Sequence, residues 1–216
     1  MFIDVPCKGK KNCERKEGVF FMKIDLDHSK ILTKQAYYFD DNLHTYYRDL
    51  YDNMGKYERL GCVTSAIDKK TEDIYTVFMG LRETMMAVRF TKDGKLIWCK
   101  PLPRGKGLID LAHGFSYSIH NKKLYLVYTD DPNNMELDPN NFKVGKVKLK
   151  AAITGANVVC VTIDDAGIVQ QKVLSVNERT TANFNPAEID NLTERTPIYN
   201  LKNRDKEQFV RIEVPK

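Results

Sequence analysis

The feature that most constrains this chain is a strand-turn-strand unit written many times over. In VRFTKDGKLIWCKPLP, Val88 to Pro103, apolar and polar residues alternate, break at Asp93-Gly94 and alternate again. Period-two alternation over four to eight residues, bounded by turn residues, is the mark of a half-buried antiparallel strand. The same reading pairs Val19–Leu26 with Ile31–Phe39, Leu60–Ile67 with Ile74–Leu81, and Thr84–Phe90 with Lys95–Pro101. It also pairs His113–His120 with Lys123–Thr129, Ala156–Ile163 with Ile168–Leu174, and Thr196–Leu201 with Gln208–Val214. Six hairpins, or twelve strands, predict an all-β protein.

The hairpins repeat at a higher level. MKIDLDHSKI, VRFTKDGKLI and VTIDDAGIV each rise through apolar-x-apolar, turn at an acidic residue and return apolar, which places Asp27, Asp93 and Asp165 at matching positions. The interval between them is roughly 70 residues and holds two hairpins, and four antiparallel strands are the content of a β-propeller blade. The expected organisation is a basic, flexible leader over 1–17 followed by a propeller-like β domain over 18–216. Its blade-like units lie at about 18–58, 59–103 and 108–176, with a closing hairpin at 195–215. The one helical pattern is Asn42–Tyr57, centred on 42–56, where Leu43, Tyr46, Tyr47, Leu50, Tyr51 and Met54 recur at three- and four-residue steps and Asp41 or Asn42 could cap the start. Three blades are fewer than the four to eight that close a ring. The sequence therefore predicts a partial propeller, completed by missing N-terminal blades or by self-association.

Composition narrows the function classes. With 216 residues, 42% hydrophobic and 29% charged, the chain has the balance of an ordinary globular protein. It contains no apolar run near the roughly 20 residues of a membrane-spanning helix, so no membrane insertion is expected. No signal-peptide pattern opens the chain. The net charge of +5 sits partly in Lys8, Lys10, Lys11, Arg15 and Lys16, a basic run that could touch phosphates but reads as a solvated tail, so nucleic acid is not the partner expected. Cys62, Cys99 and Cys160 fall in apolar runs and are expected to be buried and unbridged. Cys7 and Cys13 are too widely spaced for a zinc pair; a local disulfide and two unrelated thiols both remain open.

HGFSYSIHNKKLYLVYTDDPNN, then VVCVTIDDAGIVQQKVLS and the terminal FVRIEV, resembles the C-terminal region of large uncharacterised propeller-like proteins of Bacteroidota. The resemblance covers Leu108 to Lys216. Tyr128, Asp130 and Asn134 fit that family's aromatic-Asn-Asp-Asn-x-x-Asn pattern, whereas Thr129 and Asp131 depart from it. It implies a propeller fold and no particular activity, because a propeller is a scaffold for many functions.

Candidate chemistry is thin. The loop TDDPNNMELDPNN, Thr129–Asn141, carries the oxygens calcium takes, in Asp130, Asp131, Asn133, Asn134, Glu136 and Asp138, but its spacing is not that of an EF-hand. His113 beside Asp110 could form an acid/base pair at a blade-end loop, the basis of an alternative reading as a hydrolase. Trp98, with Arg89 and Lys100 as strand neighbours, could stack on a ligand. PRGKGLID, Pro103–Asp110, lacks the spacing of a phosphate-binding loop. The candidate ligand-binding residues are therefore Trp98, Asp110, His113, Asp130, Asp131 and Asn134. The function expected is a non-catalytic binding or interaction scaffold for a protein or carbohydrate, with calcium as the one cofactor considered.

Overall fold

A computed structural model describes residues 2–6, 14–41, 43, 61–79, 84–104, 115–141, 156–175, 198–203 and 206–211. Thirteen strands and a single 3-10 helix are formed among them, so the protein is all-β. Two four-stranded sheets are antiparallel meanders of consecutive strands, which makes the building unit propeller-like. The chain divides into two compact units, Met1–Leu102 with Phe142–Lys148, and Pro103–Asn141 with Leu149–Lys216.

The first unit holds two sheets. One is three-stranded, in the order β1 (Phe2–Pro6), β2 (Glu14–Asp25), β3 (Lys30–Tyr38). The other is the meander β4 (Gly61–Ile67), β5 (Ile74–Met79), β6 (Thr84–Phe90), β7 (Leu96–Pro103). The flexible leader expected over 1–17 is corrected here: Phe2–Pro6 pairs with Glu14–Val19, so most of that stretch is sheet. Phe2, Ile3 and Val5 carry enough apolar character to extend the sheet, a signal that the neighbouring lysines mask in the sequence. The first unit over 18–58 accordingly gains a strand from outside its expected bounds. Of the helix predicted from Asn42, Asp41 and Leu43 are helical and the rest lies outside the described residues. Its cap is Asp40, one residue earlier than expected, whose Oδ1 accepts the Leu43 N–H at 2.9 Å.

Where the two sheets of this unit meet, Phe21 and Tyr37 from β2 and β3 both stack against Phe90 of β6, at centroid distances of 5.4 and 5.9 Å. Tyr37 donates its hydroxyl to Gly94 O at 2.9 Å. The β6–β7 turn is thus gripped by the first sheet.

The second unit holds the meander β8 (Ser116–His120), β9 (Lys123–Asp130), β10 (Asn157–Ile163), β11 (Val169–Ser175), and the pair β12 (Ile198–Asn203), β13 (Lys206–Arg211). Leu124, Leu126, Tyr128, Val159, Val161 and Ile163 are its most deeply buried apolar side chains. Burial of alternate residues on β10 follows the period of the strand.

The three repeated turns are real, but their alignment shifts. Gly94 N–H bonds Thr91 O at 2.9 Å while Thr91 N–H bonds Lys95 O at 2.8 Å; Gly167 N–H bonds Asp164 O at 3.0 Å while Asp164 N–H bonds Ile168 O at 3.1 Å. Gly94 (φ 88°) and Gly167 (φ 80°) therefore occupy the same left-handed position, and Ser29 (φ 49°) takes it in the β2–β3 turn. Counting from that position, Asp27 and Asp165 match, whereas Asp93 aligns with Ala166. The physical constraint is the positive φ of the closing residue, not the acid.

Candidate functional site

Of the expected ligand-binding residues, the four that the structure describes fall into two groups, Trp98 in the first unit and Asp130, Asp131 and Asn134 in the second. Asp110 and His113, and with them the hydrolase reading, lie outside the described residues, as do Cys7, Cys13 and the tyrosines of the predicted helix. Trp98 is in the core of the first unit, 5% exposed, edge-on to Tyr75 at 5.9 Å. Arg89 lies over the other partner of this stack, 5.3 Å from the Tyr75 ring, and binds Asp73 Oδ2 through Nη2 at 2.6 Å and Nε at 3.1 Å. Tyr75 and Arg89 are directly paired across β5 and β6. An Arg beside a Trp on a hairpin is thus a buried polar stack tying the start of β5 to β6, rather than a surface on which a sugar or base could lie.

Asp130, Asp131 and Asn134 do come together, in the second unit. Asp130 is fully buried; its Oδ1 accepts Asp131 N–H at 2.8 Å and Asn134 Nδ2 at 2.7 Å. Asp131 caps the 3-10 helix Pro132–Glu136 through its bond from Asn133 N–H at 2.9 Å. Asp138 accepts Asn140 N–H at 2.9 Å and Asn141 Nδ2 at 2.5 Å, and these bonds hold its carboxyl below its ordinary pKa of 3.8. Asn140 in turn makes two 2.8 Å bonds with the backbone of Val169 on β11. Asp130 Oδ1, Asp131 Oδ1 and both Asp138 oxygens are engaged in shaping the loop, which Asn140 clamps to the sheet, while the buried Asp130 Oδ2 has no hydrogen-bond partner among the described residues. Among the described residues no group of three or more His, Cys, Asp or Glu side chains is placed to hold a metal ion.

Behind this loop lies a second buried stack, which the sequence did not signal. Arg104, 4% exposed, sits 5.1 Å over the Tyr128 ring. Burial pulls its guanidinium below the ordinary value, opposed by the charges of Tyr128 and Asp130. The Tyr128 phenol is pushed strongly upward, first by burial and then by Asp130. Tyr128, Asp130 and Asn157 share a sheet face, since Asn157 pairs with Asp130 and Tyr128 is two residues away. Neither Tyr128 Oη nor Asn157 Oδ1 has a hydrogen-bond partner among the described residues. The cluster is buried throughout and serves packing and loop anchorage.

The thiols are quiet. Cys99 and Cys160 are unbridged and half-buried, and desolvation raises both above the ordinary thiol range. Cys99 Sγ rests 3.3 Å from Met86 Sδ. The side chain of Cys62 lies outside the described residues.

Open surface with shape is found in the first unit. A groove of about 600 Å³ is lined by Phe21, Met22, Lys23 and Ile24 of β2 on one side. Ile67, Glu72 and Ile74, with Lys92 and Asp93 of the β6–β7 turn, form the other. Its floor is aliphatic and aromatic. Its rim carries two cations, Lys23 and Lys92, and two carboxylates, Glu72 and Asp93, with Lys92 Nζ 3.2 Å from Glu72 Oε2. Met22, Ile24 and Ile67 leave much of their apolar surface in water, Ile67 as much as 63%. Sequence reasoning missed this groove because Ile67 reads as a normal strand end and Met22 and Ile24 as the inward half of an alternating strand. Only the stacking of two sheets shows which half is left outside.

No protein-family model and no curated protein matches the chain. Two solved structures are similar in outline. A point variant of the Synechocystis apocarotenoid oxygenase is 11% identical, with a TM-score of 0.40, over 93% of this chain and 43% of that one. An engineered chimera of that oxygenase with RPE65 is 11% identical, with a TM-score of 0.36, over 92% and 44%. The chain spans less than half the length of either.

Proposed function

We propose that the chain is a non-catalytic binding scaffold of propeller type, and that its contact surface is the groove between the two sheets of the first unit. The kinship to propeller-like proteins of Bacteroidota belongs to the same proposal. The observation that carries it is the character of the groove: an apolar floor and a rim on which Lys92 pairs with Glu72 and Lys23 and Asp93 balance in sign. Such a surface binds by removing apolar area from water, at about 25 cal/mol per Å². A hydrolytic site would instead gather titratable groups around a reacting atom. Between the two partner classes expected from sequence, a protein segment suits this floor better than a carbohydrate. Sugar binding relies on an exposed aromatic face, and the single tryptophan is enclosed.

The test is the binding of an apolar fluorescent dye, 8-anilinonaphthalene-1-sulfonate, to the native protein and to Ile67→Asp. The isoleucine is mostly exposed, so the variant keeps the fold while placing a charge against the floor. Dye affinity is expected to fall at least about tenfold, or roughly 1.4 kcal/mol. Equal binding to both proteins removes the groove as the contact surface.

A further inference from the structure

A strand in a packed sheet buries at least one of its two faces. In the β2–β3 hairpin this holds only as far as Phe21; from Met22 to Ala36 no residue is buried. The hairpin tip therefore projects from the sheets, and what it carries into water is apolar. Leu26 is 83% exposed, Ile31 54% and Leu32 51%, beside the exposed Met22 and Ile24. Ile24 and Ile31 are a direct cross-strand pair, and the register slip next to them leaves Leu32 as a bulged extra residue. The turn that carries this cluster is held in shape. Asp25 Oδ1 accepts the Asp27 and His28 N–H groups at 3.1 and 3.2 Å, and Asp25 Oδ2 lies 2.9 Å from His28 Nδ1. A pre-shaped apolar projection thus stands directly beside the apolar groove, and Met22 and Ile24 belong to both.

We propose that projection and groove are the two halves of one interface: the hairpin tip of a second copy of this chain enters the groove, and that copy's groove receives the first one's tip, in a two-fold dimer. The proposal deepens the binding reading above and rests on it. A two-fold interface needs a surface complementary to itself, in which each patch meets the other patch of the partner. A tip and a hollow a few residues apart on one hairpin meet that condition, because an axis passing between them carries each tip to the other's groove. The exposed area points the same way. At roughly 200 Å² for a fully exposed Ile, Leu or Met, the five hairpin residues and Ile67 leave about 650 Å² in water, slightly above the largest patch a typical monomer leaves bare. Two copies together bring about 1,300 Å², which reaches the size of a specific interface. A foreign segment lying in the groove would cover Ile67 and leave Leu26, Ile31 and Leu32 in water. The charges allow identical copies to meet. Lys23 and Lys92 balance Glu72 and Asp93 on the rim, and on the tip Asp25 is engaged by His28 while Lys30 offsets Asp27. Neither half carries the block of like charge that would repel its own kind.

The experiment is sedimentation velocity of the full chain over a concentration series from about 5 to about 500 μM. A reversible dimer with a micromolar Kd is expected, as suits an interface near the lower size limit. Leu26→Asp on the tip and Ile67→Asp in the groove both lie at exposed positions, and each is expected to weaken dimerisation at least about tenfold. Mixing the two variants separates tip-in-groove contact from any other pairing. Their heterodimer keeps one intact contact, the tip of Ile67→Asp in the groove of Leu26→Asp, so the mixture is expected to dimerise at least about tenfold more tightly than either variant alone. If either variant dimerises like the parent, or if mixing rescues nothing, tips do not enter grooves and the proposal is wrong. A parent that stays monomeric throughout the series overturns it as well. The groove reading survives those failures if Leu26→Asp, whose groove is open, binds the dye and the double variant Leu26→Asp, Ile67→Asp does not. Equal dye binding by the two removes both readings.

Discussion

Gly94 is the residue on which the first unit's packing turns. Its φ of 88° already excludes an unstrained L side chain, and a Cβ built there would lie 2.3 Å from Phe21 Cδ1. Phe21 cannot retreat easily, because its ring is stacked on Phe90. Gly94→Ala should therefore cost about 2–4 kcal/mol, summing left-handed strain of about 1–2 kcal/mol with overpacking of about 1–3 kcal/mol. Urea unfolding checks it; a loss under about 1 kcal/mol would mean the turn lifts off the sheet without resistance. Tyr128 makes the opposite case. Its hydroxyl is buried with no partner among the described residues, so Tyr128→Phe removes a desolvated polar atom and keeps the ring under Arg104. Thermal melting should show stability unchanged or raised by up to about 1 kcal/mol. A drop of that size would reveal a buried water held by the phenol.

At the scale of elements, two hairpins can be tuned in opposite directions. The β8–β9 turn is a two-residue loop with Asn121 at φ 50° and Lys122 at φ 59°, the geometry that favours Asn-Gly. Lys122→Gly relieves the second position and gives up only an exposed 3.7 Å contact with Asp165, worth little in water. A gain of about 0.5–1 kcal/mol is expected by denaturant titration, with no gain for Lys122→Ala. In the first unit, Arg89 and Asp73 link the β4–β5 loop to β6, both largely out of water. Removing one partner strands the other, so Arg89→Met should cost about 3–5 kcal/mol. Adding Asp73→Asn should restore part of that loss. A double variant as unstable as the sum of the singles would show that the two groups are energetically independent.

For the molecule as a whole, the division into two compact units predicts separable unfolding. Each unit has its own buried apolar residues, Val77, Met86, Val88 and Phe90 in one and Leu126, Tyr128, Val159 and Ile163 in the other. Amide exchange of the full chain in rising urea should show Gly94→Ala lowering protection of Val77 and Val88 while leaving Val159 and Val161 near their native values. Asn140→Ala should do the reverse, since Asn140 clamps the Thr129–Asn141 loop to Val169. Equal loss of protection everywhere from either substitution would show a single cooperative unit.

The sequence by itself determined the strands and most of their turns. Period-two alternation and turn residues such as Asp93-Gly94 and Asn121-Lys122 are local, so the six hairpins could be read off the chain; the first five are found at their expected turns, and the strands of the sixth pair as Ile198–Asn203 with Lys206–Arg211. The same locality explains the misses. Phe2–Pro6 is a strand only because β2 offers it an edge, and no pattern within five residues reports a partner. Trp98, Arg89 and Asp130 looked like surface chemistry because one dimension shows only their neighbours in the chain. Tertiary packing decided that Tyr75 closes over the first two, and that the Asn134 side chain and the Asp131 backbone answer the third. The groove is the plainest case. Met22 and Ile24 are indistinguishable by residue type from core positions, and what leaves them outside is that the opposite face of β2 meets the second sheet, with Phe21 stacked on Phe90. Strand identity depends on each segment's own alternation, whereas exposure depends on which segments are stacked together, and that is a property of the assembled sheets.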